Sequence, residues 1–187
     1  MKTVNWLLIL LTVAVLAPGK TMQGQVSLYG EATANYLDSG PYTDFLEGGT
    51  AGVLVDLGKV WHNRLTISAN AQGNFVFSTA TASSGARGYS SSETYNAVTI
   101  GSRVAFAPHW MKLAPYAQLN VGFARYQDPT THSSTDSVFG GQGGVTRQLT
   151  PRFDSVVDYS YSRFGYMSDF YSPQTFSVGV VYHLVKR

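Results

Sequence analysis

Residues 65–77, LTISANAQGNFVF, place Leu65, Ile67, Ala69, Ala71, Gly73, Phe75 and Phe77 on one parity and Thr66, Ser68, Asn70, Gln72 and Asn74 on the other. A period of two is the signature of a β-strand with unlike faces. A run of this length is roughly twice an ordinary soluble strand and about what a tilted strand needs to cross hydrocarbon. The same alternation recurs along the chain and predicts strands over Val26–Tyr36, Gly48–Leu57, Leu65–Phe77, Tyr95–Phe106, Tyr116–Phe123, Val138–Leu149, Phe153–Phe164 and Phe176–Leu184. In the fifth, Ala117, Leu119, Val121 and Phe123 alternate with Tyr116, Gln118, Asn120 and Gly122. In the last, Phe176, Val178, Val180, Tyr182 and Leu184 share one parity.

The connections alternate as well. Those around residues 58–63, 107–113 and 150–152 are short and contain the turn formers Gly58, Asn63, Pro108 and Pro151, whereas residues 37–47, 78–94, 127–137 and 165–174 are long and rich in Ser, Thr, Gly, Asp and Pro. Strict alternation puts every long loop at one end of an up-and-down barrel, and an even strand count returns both termini to the short-turn end. The expected fold is therefore all-β: an eight-stranded antiparallel up-and-down transmembrane β-barrel over residues 25–187, preceded by a cleavable signal peptide over 1–24. The signal is read from Lys2 followed by WLLILLTVAVLA, which has the length of a signal-peptide core and is short for a bilayer span. Cuts after Gly19 or Gly24 both fit, and an uncleaved anchor is the alternative.

Periodicity alone does not say which face is the inside, since a soluble lipocalin-like barrel alternates too. Composition decides. Charged residues make up 13% of the chain, alongside 12 Tyr, 10 Phe and 19 Gly. The polar parity is Ser, Thr, Asn, Gln, Gly and Tyr rather than Lys and Glu, which suits a packed lumen better than a water-exposed wall. Leu65, Ile67, Leu119, Val121, Val178 and Val180 are then expected to face lipid. Trp61, Trp110, Tyr116 and Tyr182 fall near the short turns, and Tyr36, Phe75, Phe77, Phe123, Tyr126, Phe164 and Phe176 near the long loops, the two-belt layout of interfacial aromatics.

Charge and candidate chemistry narrow the function classes. The net charge is +2 without a Lys/Arg cluster, which argues against a nucleic-acid partner. The absence of cysteine excludes disulfides, thiolate metal sites and cysteine nucleophiles. Glu31, Arg103 and Asp158 fall on the inward parity, where an unpartnered charge would cost several kcal/mol. A lumenal ionic cluster centred on Arg103 is expected, with Gln72, Gln118, Asn120, Gln142 and Thr146 completing its hydrogen bonds and plugging the barrel. An ion path through the same residues is the rival reading. HSSTD, residues 132–136, holds a base, hydroxyls and a carboxylate in a long loop, the materials of a lipid-modifying acyl hydrolase or acyltransferase, but five consecutive loop residues seldom supply triad geometry. His62, His109 and His183 lack metal-ligand spacing, and GGQGG at 140–144 lacks a phosphate-loop register and a following helix. Its glycines are expected to admit a neighbouring strand or a large lumenal side chain. No cofactor or metal is expected.

Residues 139–161, FGGQGGVTRQLTPRFDSVVDYSY, resemble the penultimate hairpin of small outer-membrane barrels of the OmpA-like and OmpX-like kind: a Gly-rich descending strand, an LTPRF turn, then an ascending strand with an acidic residue and Tyr. The last strand, TFSVGVVYHL, is similar to that family's closing strand, which serves as its assembly signal. Here Leu184 stands on the parity of the family's terminal aromatic, and Val185, Lys186 and Arg187 follow it. The resemblance implies a bacterial outer-membrane location with both mature termini periplasmic. It also implies surrounding lipid that includes lipopolysaccharide, and the barrel-assembly machinery as a partner in biogenesis. No peptidoglycan-binding domain is expected after the barrel. The function expected is structural or surface-interactive; a narrow pore and an outer-leaflet lipid enzyme are the alternatives, and a soluble secreted barrel is the alternative fold.

Overall fold

A computed structural model describes residues 24–38, 43–82, 89–106, 112–127, 133–164 and 173–185. The signal-peptide segment, Trp110 and His132 lie outside the described residues. The eight strands are β1 (Val26–Asp38), β2 (Thr43–Val60), β3 (Leu65–Ala82), β4 (Tyr89–Phe106), β5 (Leu113–Gln127), β6 (Ser133–Gln148), β7 (Phe153–Phe164) and β8 (Gln174–His183). Each pairs antiparallel with its sequence neighbours, and β8 pairs with β1 to close the barrel.

The register fixes the shape of the cylinder. Cross-strand partners lead from Val26 through Val55, Ala69, Ser102, Leu119, Gly141, Tyr161 and Gln174 back to β1 at Tyr36, ten residues above the start. A shear of ten over eight strands tilts the strands by about 40° and leaves an interior that side chains can fill.

Several strands run further toward the long-loop end than the apolar alternation does. β2 begins at Thr43, β3 continues to Ala82 and β4 begins at Tyr89, so that Ala82 pairs with Tyr89 in an extended hairpin. The connections of 37–47, 78–94 and 127–137 shrink to 39–42, 83–88 and 128–132. Backbone pairing needs only a partner strand, whereas alternation is imposed by hydrocarbon on one side. The alternation therefore marks the membrane-crossing length and not the whole ladder.

Alternate residues divide cleanly between the two faces. Ser27, Tyr29, Glu31, Thr33 and Asn35 of β1 are buried while Leu28, Gly30, Ala32 and Ala34 between them are exposed. Phe123 at 69%, Val98 at 67% and Ile100 at 61% exposure belong to an outward apolar band that runs around the barrel. A contiguous apolar surface of that extent is foreign to a soluble monomer. Leu119, Val121, Val178 and Val180 are exposed on the same face, and Leu65 and Ile67 share it half-covered. A β-bulge between Asp56 and Gly58 shifts the β2–β3 register and leads into the turn, where Trp61, His62 and Asn63 all have positive φ. At the β6–β7 turn, Thr150 Oγ1 accepts from the backbone N–H groups of Arg152 and Phe153 at 3.2 and 3.1 Å, with Pro151 between them.

Candidate functional site

Among the described residues the lumen is where charge is gathered away from water, and its side chains stack in layers. At the short-turn end, Ser27 Oγ lies 2.8 Å from His183 Nδ1, and His183 Nε2 lies 3.0 Å from Asp154 Oδ2, all three residues being buried. Asp56 accepts from Ser68 Oγ at 2.7 Å on the same level. Sequence reasoning missed this set. Its signal was the shared inward parity together with the pairing of Ser27 with His183 across the closure. The residue types are those of an acyl-transfer triad, and here they are packed inside the wall, with Ser27 only 4% exposed.

Above it, Tyr29, Leu54, Tyr116, Val156 and Val181 form an apolar layer. The Arg103 guanidinium carbon sits 3.4 Å from the centroid of the Tyr116 ring, and the Tyr116 hydroxyl donates to Asp158 Oδ2 at 2.6 Å. Among the described residues no direct ion pair joins Arg103 to Glu31 or Asp158; the tyrosine stands between cation and carboxylate. Glu31 Oε2 and Asp158 Oδ1 are buried without a hydrogen-bond partner. Two glycines make room here: a methyl group on Gly144 would overlap Asp158 Cβ and the Tyr116 ring, and one on Gly52 would overlap the Tyr29 phenol.

The next layer is made of amides. Gln118 Nε2 reaches Asn120 Oδ1 at 2.9 Å, Gln142 Oε1 at 3.0 Å and Gln72 Oε1 at 3.2 Å. Asn70 Nδ2 donates to Gln72 Oε1 at 3.0 Å, and the Tyr29 hydroxyl reaches Asn70 Oδ1 and Gln72 Oε1 at 2.9 and 2.7 Å. Gln72, Gln118, Asn120 and Gln142 thus meet one another. Thr146 does not join them: it lies toward the short-turn end and donates to the backbone carbonyl of Ala114 at 3.3 Å. Toward the long-loop end, a cavity of about 30 Å³ is bordered by Asn74, Thr99, Asn120 and Thr175, enough for about two waters. Asn74 Oδ1 and Thr99 Oγ1 have no protein partner. Val76, Tyr95, Ala97, Ala124 and Val138, with Tyr126 against them, pack as an apolar layer near the long-loop end.

The aromatic residues separate by parity rather than by height alone. Trp61, 59% exposed, packs against Phe106 with centroids 6.1 Å apart, Tyr182 packs on Phe153 at 5.0 Å, and Phe75 and Phe123 stand exposed near the other end. Tyr116 departs from the expected belt because it shares the parity of Gln118 and Asn120 and points into the lumen. Tyr126 does likewise and packs on the lumenal cluster. Of residues 132–136, Ser133, Ser134 and Thr135 are exposed on β6, and Asp136 Oδ1 accepts from the Ser137 N–H at 2.7 Å.

The family model for the outer membrane protein beta-barrel domain matches residues 6–183. The chain belongs to that family. Its fold is shared with solved structures of low identity. The attachment invasion locus protein Ail of Yersinia pestis, solved with the heparin analogue sucrose octasulfate, is similar at a TM-score of 0.59 and 13% identity over 87% of this chain and all 100% of that one. Neisserial surface protein A gives a TM-score of 0.62 and 14% identity over 84% of this chain and 96% of its own. The amino-terminal barrel domain of Pseudomonas aeruginosa OprF gives 0.50 and 13% over 87% and 100%. No curated protein sequence matches the chain. Family membership places this barrel in the bacterial outer membrane, a closed eight-stranded transmembrane cylinder of the type seen in these relatives.

Proposed function

We propose that the protein is a non-enzymatic structural or surface-interaction barrel whose lumen is plugged by its own side chains. The observation that carries this is the amide layer: Gln72 of β3, Gln118 and Asn120 of β5 and Gln142 of β6 hydrogen-bond to one another, and Tyr29 of β1 joins them from the other side of the interior through Gln72. An open path needs water where these amides touch one another. In this reading residues 1–24 are an export signal, the barrel is delivered by the barrel-assembly machinery, and it sits in lipid that includes lipopolysaccharide. The short turns and both mature termini face the periplasm, and the long connections face outward as the surface that meets a partner.

Planar-bilayer recording of the purified, folded protein tests the plug. The expected outcome is no steady conductance above the bare membrane; steady single-channel steps would establish the narrow pore instead. Heat-dependent migration on SDS gels checks beforehand that the recorded material is the folded barrel.

A further inference from the structure

The two rims of the barrel carry opposite charge. The four long connections with their flanking strand ends, residues 38–47, 78–94, 125–137 and 163–174, hold seven carboxylates against three arginines. At the short-turn end Lys59, Arg64, Lys112, Arg147 and Arg152 are all exposed. The carboxylates nearby are turned inward: Asp56 accepts from Ser68, and Asp154 is buried against His183. Among the described residues none of the five cations is in an ion pair.

Their placement is that of a lipid interface. They are spread over the end of β2, the β2–β3 turn, the start of β5, the end of β6 and the β6–β7 turn, around the cylinder rather than on one side of it. Lys59 is followed by exposed Val60, Lys112 by Leu113 and Arg152 by Phe153, while Arg147 stands two residues before Leu149. Arg64 closes the turn that Trp61 opens, its N–H bonded to the Trp61 carbonyl at 3.2 Å. All five stand at the height where the apolar band ends: Arg147, paired with exposed Leu113, lies on the outward parity, while Lys59, paired with buried Thr66, lies on the inward parity and its long side chain reaches headgroup phosphate over the end of the wall. A soluble acidic partner would be met best by a patch on one side; a ring matches a surface that surrounds the barrel.

We propose that this rim is a cationic collar that binds the anionic headgroups of the phospholipid leaflet around it. The assignment rests on the reading above in naming that leaflet the periplasmic one. The collar itself is a property of the short-turn end, whichever side that end faces.

The test uses the full barrel folded into phosphatidylcholine bilayers with trace spin-labelled phosphatidylglycerol or phosphatidylcholine, and electron spin resonance of the motionally restricted lipid. The expected result at low salt is a preference of about five-fold for phosphatidylglycerol, the weight of one well-placed basic residue at a charged lipid surface, shrinking toward parity in molar salt. Combining Lys59→Gln, Arg64→Gln, Lys112→Gln, Arg147→Gln and Arg152→Gln is expected to abolish the preference while the heat-dependent gel shift persists. Glu47→Gln at the opposite rim is expected not to lower it. Should the combined variant fail to fold, Arg147→Gln and Arg152→Gln singly are each expected to reduce the preference.

Equal association of both lipids with the wild-type barrel, or a preference that survives removal of the cations, would overturn the proposal. A wild type without lipid preference that binds dextran sulfate through the same five side chains would reassign the collar to a soluble polyanion. Orientation is read separately: labelling of Asn63→Cys by an impermeant maleimide in intact cells would overturn the periplasmic placement and leave the bilayer result standing.

Discussion

Two adjacent layers of the lumen solve the burial of polarity in different ways. In the amide layer every side chain is both donor and acceptor, so Gln118 shares two hydrogens among three oxygens, and each of those oxygens has another donor in Asn70, Asn120 or Tyr29. In the layer below, the carboxyl groups of Glu31 and Asp158 share one cation, Arg103, which can only donate, and Tyr116 intervenes. Two carboxylate oxygens there lack partners. Redundancy protects the first layer, while the second depends on single contacts and on one cation. Bond count is therefore a poor guide to which residue matters most.

The sharpest break is expected at Arg103. Arg103→Met leaves two buried carboxylates without a counter-charge, and the barrel is expected to lose about 3–5 kcal/mol of stability, measured by urea unfolding in phospholipid vesicles. Adding Glu31→Gln and Asp158→Asn should restore most of that loss, because neutral amides no longer need the cation; failure of this rescue would show that the guanidinium matters through its packing on Tyr116 instead. Tyr116→Phe removes a single hydroxyl but strips Asp158 of its 2.6 Å donor, for an expected loss of about 1.5–3 kcal/mol in the same assay. Gln118→Leu removes three short contacts, yet its partners keep other donors, and the expected loss is only about 1 kcal/mol. A larger loss for Gln118→Leu than for Tyr116→Phe would contradict the contrast between the layers.

The fold was legible because a transmembrane barrel imposes one rule on every strand: lipid on one face, packed side chains on the other. That rule writes itself as period two in Leu65–Phe77 and Tyr116–Phe123 and fixes strand number and topology. It is silent where hydrocarbon ends, so the pairing of Ser78–Ala82 with Tyr89–Glu93 left no apolar trace. It is silent too about residue types that suit both faces. Tyr116 has the ring of a belt residue and the parity of a lumenal one, and parity governs. What one strand shows least is who meets whom across the interior. That Arg103 stacks on Tyr116 while Thr146 turns to the Ala114 carbonyl depends on the shear of the closed sheet, a property of all eight registers together.

Closure leaves one seam, where the first strand meets the last. Ser27 from β1, Asp154 from β7 and His183 from the end of β8 rivet it from inside. The imidazole at the centre of the rivet comes from β8, so the strand that closes the cylinder also brings the group that fastens it. A chain that lacked β8 would lose the closing ladder and its fastener together, leaving the backbone groups along one edge of β1 without partners.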